Sequence, residues 1–414
     1  MKNGGESMKP KIEMWALSLL MVMAFVGAIF VPAVSANCHG NDQIDVTPVT
    51  LDLAKKLAQM HINDTATALS TFSEWTGAAV EYDMTFYDTN GDISAYSFSV
   101  IKNGNKLGFV LVSGIKENYP ILEFGKGDVI PEKAKEKANV IAVKDVKSSS
   151  CRLGSVKYLY LGSTFYYAQY PLIDSLKNVK GDVTVDLFNE IVVSLKDNNS
   201  AVTSPNDDFG SDVISVNDAW AIIDENIGLL DKGIAIPTST RGADTIYWVP
   251  LYDQPSGYPN SCAPTASGMI LSYWRSNGYT NFPSDGDTLI LELYSAMGTD
   301  PVIGTYDSRI EGGIESVCQD HGYYNIDAVP DTGSFLFSEA QSEVTADRPI
   351  HLAMHGAGTA LGGSTPYGNH SVAVVGWADG AFDALEINDG WSTTDTRYIT
   401  FGNWDYTYPV YVRP

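Results

Sequence analysis

The spacing of apolar positions changes period several times along this chain. From Leu51 to Phe72, the residues Leu53, Ala54, Leu57, Ala58, His61 and Ile62 recur at helical spacing and predict an amphipathic helix. Alternation then takes over in Val80–Phe86, in Tyr96–Ile101 and in Gly108–Val112. The turn residues Asn103, Gly104 and Asn105 join the last two runs as a hairpin. Pro120–Phe124 reads as a further strand, and a charged helical stretch runs from Pro131 to Ala142. Val156–Leu161, Thr164–Gln169 and Thr184–Phe188 are strand-like, the polar stretch from Asn198 to Asp212 is a loop, and Val216–Leu230 returns to helical spacing. A helix followed by a meander predicts an α+β arrangement.

From Ile246 onward the chain becomes rich in Gly, Trp and Tyr, the mark of a new domain. Ala266, Met269, Ile270, Tyr273 and Trp274 form the apolar face of a helix that Gly278 stops. Ile310, Ile314, Val317 and Cys318 form another such face, ended by Gly322, so Cys318 is expected to be a buried core thiol. Arg348–Met354 reads as a strand. A glycine-rich loop from Gly356 to Gly368 leads into the apolar strand His370–Trp377, and Ala384–Asn388 is the next strand. The stretch Pro237–Ala243, polar and carrying Arg241, is the natural domain boundary and nicking site.

The first residues add a compartment. Lys2, Lys9 and Lys11 precede an apolar run from Met14 to Val31, and Val34-Ser35-Ala36 is a small-x-small cleavage site. Residues 1–36 are therefore expected to be a signal peptide of a secreted or cell-surface protein. An uncleaved anchor, the one route to the membrane, is the rival reading. Export permits disulfides, and Cys38 with Cys151 is the natural pair if Cys262 is kept as a thiol. The formal net charge of -24 argues against a nucleic-acid partner, because phosphates would be repelled.

Candidate chemistry gathers in the second half. Cys262, in Tyr258-Pro-Asn-Ser-Cys-Ala-Pro-Thr-Ala266, opens a helix whose N-cap is Asn260 or Ser261, with Pro264 in the first turn. The positive end of the helix dipole favours a thiolate there. His370 enters a strand after a glycine-rich loop, where an imidazole can project into a cleft. Asn388 or Asp389, at the end of the next strand, can accept the imidazole N–H and fix its orientation. Gln254, eight residues before Cys262, can aim its amide N–H at a developing oxyanion beside the Cys262 N–H. His351 and His355 stand four apart on a strand, about 13 Å, which does not suit a shared metal, and no zinc-type spacing accompanies them. No cofactor or metal is expected.

The order Gln254, Cys262, His370 and Asn388 or Asp389 resembles papain-like cysteine peptidases. Gln254…Cys262-Ala-Pro-Thr-Ala266 and Gly368-Asn-His-Ser-Val-Ala-Val-Val-Gly-Trp377 are similar to the bacteriocin-leader-processing (double-glycine) type. Glu386-Ile-Asn-Asp-Gly-Trp391 resembles the Asn-Trp region of streptopain-like peptidases. Gly108–Ser113 with Pro120–Phe124 looks like a streptopain-type propeptide, which blocks the cleft until removed. The leader-processing type usually places an aspartate third and papain an asparagine; here the two stand side by side.

The resemblance implies an α+β chain with a papain-like catalytic domain at 241–414, preceded by an α+β propeptide region at 37–240 that divides into 37–130 and 131–240. It implies a secreted cysteine endopeptidase made as a zymogen, with peptide or protein substrates and its own propeptide as intramolecular inhibitor. Two other readings stay open: a papain-like acyltransferase of transglutaminase type, and an inactive peptide-binding surface protein.

Overall fold

Thr50 opens the first helix, α1 (Leu51–Ala68), by accepting the Leu53 N–H on its hydroxyl. The expected apolar face is the buried one: Ala54, Leu57, Ala58, His61 and Ile62. A 3-10 turn (Ser70–Trp75) then sends Phe72 and Trp75 into the same core. The computed structural model describes residues 46–146, 150–195, 214–232, 242–356, 369–380, 382–391, 395, 397–404 and 406–414. The expected export segment, Cys38 and so its pairing with Cys151, the Asn198–Asp212 loop, and most of the Pro237–Ala243 and Gly356–Gly368 stretches lie outside the described residues.

The meander follows: β1 (Ala79–Tyr87), β2 (Ile93–Lys102), β3 (Asn105–Ser113) and β4 (Ile121–Gly125) pair antiparallel in sequence order. Helix α2 (Glu132–Val146) carries the chain to β5 (Arg152–Leu153), β6 (Lys157–Tyr160), β7 (Tyr166–Ile173), β8 (Val179–Asp186) and β9 (Ile191–Val193). Thr184–Phe188, expected to be one strand, stops at Asp186. The carboxylate of Asp186 accepts the backbone N–H groups of Phe188 and Asn189 and folds Leu187–Glu190 into a turn. Helix α3 (Val216–Asp231) closes this half.

The second half begins at β10 (Ala243–Thr245) and passes through α4 (Cys262–Ser276), α5 (Gly286–Ala296), α6 (Ile310–Asp320), β11 (Asp327–Pro330) and α7 (Phe337–Thr345). It ends with β12 (Ile350–His355), β13 (Asn369–Ala378), β14 (Ala384–Asn388), β15 (Arg397–Thr400) and β16 (Tyr406–Arg413). The periodicity missed α5 and α7 but placed α4, α6 and β12 to β14. Cys318 is fully buried, as its helical face required. None of the helices among the described residues is long and apolar enough to cross a membrane.

One sheet runs through both halves, in the order β11-β16-β12-β13-β14-β15-β4-β3-β2-β1-β6-β7-β8-β9. The joint is β15 against β4: Arg397 faces Gly125, Tyr398 faces Phe124 and Ile399 faces Glu123. Phe124 and Tyr398 stack with centroids 4.8 Å apart. The core under α1 accordingly includes Phe124 and Val110 from the first half with Ala384 and Tyr398 from the second. Beneath the joint, the buried Arg397 guanidinium meets Glu123 at 2.7 Å, the Val129 carbonyl at 3.0 Å and Asp389 at 3.2 Å. Helices α4, α5 and α6 pack on the other side of β12, β13 and β16 through Met269, Leu289, Ile314 and Val375.

Candidate active site

Cys262 is the first residue of α4, and only 8% of its surface is exposed. Burial pushes the thiol up to about 11, although the backbone N–H groups of Ser371 and Ala263 donate to it and act in the opposite sense. The helix dipole expected to favour a thiolate is outweighed here by desolvation. The contact with Ser371 also seats the thiol beside the residue that follows His370. Ser261 occupies the N-cap position but makes no side-chain cap, which corrects the simpler expectation. Its hydroxyl is turned to Gln254 Oε1 at 3.2 Å.

His370 is 2% exposed, at the start of β13. Its Nε2 meets the main-chain carbonyl of Asp389 at 2.9 Å, while Nδ1 is buried without a hydrogen-bond partner. The imidazole and the thiol are therefore not hydrogen-bonded through Nδ1 in this state. Burial depresses the imidazole to about 3; the Asp389 carbonyl opposes the shift and the nearby Arg397 adds to it.

Strand register separates the two candidates for the third position. Ala373 pairs with Asn388, and side chains alternate along a strand, so Asn388 takes the face opposite His370, while Asp389 follows the end of the strand and reaches His370 through its main-chain carbonyl. Asn388 turns its amide to the carbonyls of Pro250 and Val249, at 3.3 and 3.5 Å. Asp389 is fully engaged on the His370 side. Its carbonyl holds the imidazole, its Oδ1 accepts the Trp391 N–H at 2.9 Å, and its Oδ2 lies 3.2 Å from Arg397. Burial raises the Asp389 carboxyl despite that cation.

Gln254 is tied into the same place. Its backbone N–H donates to the Gly390 carbonyl at 3.1 Å. Its side-chain Nε2, the group expected to meet an oxyanion, donates at 2.9 Å to the carbonyl of Phe188. The structure thus brings Gln254, Cys262, His370 and Asp389 together, and engages the Asn388 amide with the Val249 and Pro250 carbonyls rather than with His370.

The occupant of the cleft was not legible in the sequence. Three successive carbonyls of the Asp186–Glu190 turn dock on the second half of the chain. Leu187 O accepts from Trp391 Nε1 at 3.3 Å, Phe188 O from Gln254 Nε2, and Asn189 O from the Asn260 N–H at 3.4 Å. Asn189 Nδ2 donates to the Asn369 carbonyl at 3.2 Å. The Phe188 ring lies against both His370, centroids 4.0 Å apart, and Trp391, stacked at 3.6 Å. Trp391 therefore covers Phe188. Asp186 holds this turn from within, buried and with its carboxyl raised by desolvation. Two ion pairs from α2 staple the arrangement: Lys133 to Asp253 at 2.6 Å, and Lys137 to Glu190. The Asp-x-Phe-Asn sequence at 186–189 is a turn signal in retrospect, but nothing in it names a partner.

Residues 246–411, less than half of the chain, match the Peptidase_C39 like family. A search of curated proteins gives no match. Among solved structures, a fragment of prointerpain A from Prevotella intermedia, carrying a cysteine-to-alanine substitution, aligns with a TM-score of 0.38 at 11% identity. That alignment covers 81% of this chain and 98% of the other, a likeness too distant to carry an argument.

Proposed function

We propose that residues 246–411, which match the Peptidase_C39 like family, are a papain-like cysteine peptidase domain, and that the protein is a secreted endopeptidase made as a latent zymogen, whose cleft is closed by its own Leu187–Asn189 segment. The observation that carries this reading is the docking of three consecutive carbonyls on Trp391, Gln254 and Asn260, in the manner of a bound peptide that is not a substrate.

The two reactive groups are mismatched in the closed state. Burial raises the thiol and lowers the imidazole, so both groups favour their neutral forms and the closed state disfavours the thiolate–imidazolium pair. Withdrawal of Phe188 opens the space between His370 and Trp391 and lets water and the imidazole reach the thiol. His370 then takes the Cys262 proton, and the thiolate–imidazolium pair is stabilised by the Ser371 N–H and the start of α4. Cys262 attacks the scissile carbonyl. The oxyanion is held by the Cys262 N–H and by Gln254 Nε2, vacated by the Phe188 carbonyl. His370 protonates the leaving amine, and water hydrolyses the thioester, returning the thiol. Asp389 orients the imidazole through its main-chain carbonyl.

The test is intact-mass tracking of the signal-free chain under reducing conditions, beside Cys262→Ala. Shortening of the native chain alone, to a fragment starting near Ala243, is expected of a self-processing peptidase. If both chains stay intact and a Phe188→Ala chain also cleaves no added protein, the proposal is wrong. Adding a primary amine to the active form distinguishes hydrolysis from acyl transfer by the mass of the product.

A further inference from the structure

A short loop touches both sides of the reactive pair without taking part in it. Asp300 caps a tight turn by accepting the N–H groups of Val302 and Ile303 at 2.8 and 3.0 Å. The hydroxyls of Thr299 and Thr305 meet at 2.7 Å and close the loop across its base. On the cysteine side, the Asn260 side-chain Nδ2 donates to the Pro301 carbonyl at 3.0 Å. Asn260 stands two residues before Cys262 and holds a left-handed backbone, φ 57°, rare for a residue with a Cβ. Asparagine is among the residues that adopt it most readily, and the hydrogen bond to the loop fixes its side chain there.

On the histidine side, Asp307 follows the same loop. Its carboxylate lies 2.9 Å from His355 Nε2, and His355 Nδ1 meets Asn369 Oδ1 at 2.8 Å. The His355 ring is also stacked on Tyr406, centroids 4.0 Å apart and nearly parallel. His355 is 4% exposed and both of its ring nitrogens are engaged, so its position is fixed from three directions. Asn369 is the residue immediately before His370 and its cross-strand partner is His355. An orienting role accounts for this arrangement.

We propose that His355, held by Asp307, is a positioning residue: it fixes Asn369 and thereby the place from which His370 reaches Cys262, while the same loop fixes the cysteine side through Asn260. This rests on the peptidase reading of the cleft. A misplacement of reacting groups by about 1 Å can cost about 10²-fold in rate, which sets the size of the effect.

His355→Phe keeps the ring over Tyr406 and removes both polar contacts; Asp307→Asn keeps the shape and removes the charge. Both are made in the full chain and in a full chain opened by Phe188→Ala. Peptide hydrolysis is normalised to active sites titrated with an irreversible thiol-directed peptide epoxide. Each variant is expected to lower kcat per titrated site by about 10- to 100-fold with KM within about twofold, and the double variant to fall no further than the worse single one. An unchanged kcat per titrated site, or losses that multiply, overturns the proposal. Hydrogen exchange of the Asn369–Val372 amides gives a readout that needs no turnover. If no chain shows Cys262-dependent hydrolysis, the peptidase reading fails, and the positioning claim is decided by that exchange. Protection lost in both variants upholds it and unchanged protection overturns it.

Discussion

The ring of Phe188 lies flat on the indole of Trp391, centroids 3.6 Å apart and 9° from parallel, so the two halves of the chain meet in an aromatic stack at the mouth of the reactive pair. Such a stack contributes beyond its buried area. It also sets a test of latency. In the full chain at pH 7, Cys262 is expected to react slowly with iodoacetamide, since a thiol near 11 is almost wholly protonated. Phe188→Ala is expected to speed that reaction at least ~10-fold, read site by site in peptide masses because Cys151 and Cys318 are also present. An unchanged rate at Cys262 means that the stack does not enforce latency.

The pH dependence of stability carries the signature of the buried imidazoles. His370 and His351 are pushed down by burial, to about 3 and about 4. An unfolded histidine takes up a proton below about 6.5, whereas these two stay neutral in the folded chain until far lower pH. Between those limits the unfolded state binds more protons, so stability falls as pH falls, by about 1.4 kcal/mol per pH unit for each such histidine. Denaturant unfolding at pH 6, 5 and 4 should show this slope reduced by about one proton in His370→Gln. Equal slopes in the two chains contradict the buried, neutral assignment.

The joint between the halves is a buried charge cluster. Glu123 is wholly buried and accepts from the Thr164 N–H, the Tyr166 hydroxyl and Arg397. Glu123→Leu leaves Arg397 with Asp389 as its remaining carboxylate and removes an acceptor from two buried donors. A loss of about 3–5 kcal/mol is expected, typical of breaking one side of a buried pair. The denaturant midpoint measures it, and a change under about 1 kcal/mol shows that the pair is not a determinant of the joint.

Asp389 and Asn388 should separate by function. In a chain opened by Phe188→Ala, Asn388→Ala is expected to keep turnover within about threefold, because its amide faces the Val249 and Pro250 carbonyls. Asp389→Ala keeps the main-chain carbonyl that meets the imidazole but removes the carboxylate that binds the Trp391 N–H and pairs with Arg397, so the turn presenting that carbonyl loosens and a loss of at least ~10-fold is expected. The opposite ranking makes Asn388 the orienting residue.

Much of the fold is local and could be read. Helical spacing gave α1, α4 and α6, alternation gave the β1–β3 meander, and a continuous apolar run gave β13. What was missed is mostly non-local. The face taken by Asn388 depends on register, and register appears only when Ala373 is known to face Asn388. The pairing of Tyr398 with Phe124 joins residues far apart in sequence and crosses the boundary expected near residue 240. Phe188 continues an apolar alternation and so reads as strand. The Asp186 carboxylate turns it out of the sheet and into the cleft, a choice that depends on the surfaces of Trp391 and His370. The dipole argument predicts a thiolate at Cys262, whereas burial raises the thiol, and local sequence does not reveal how deeply Cys262 is covered.

The central claim is that Cys262 becomes a peptide-cleaving nucleophile when Phe188 withdraws. Its most direct test is hydrolysis of a quenched-fluorescent peptide library by the Phe188→Ala chain under reducing conditions, with Phe188→Ala/Cys262→Ala alongside. The account predicts cleavage by the first chain and none by the second. Equal cleavage by both, or none by either while both remain folded, contradicts it.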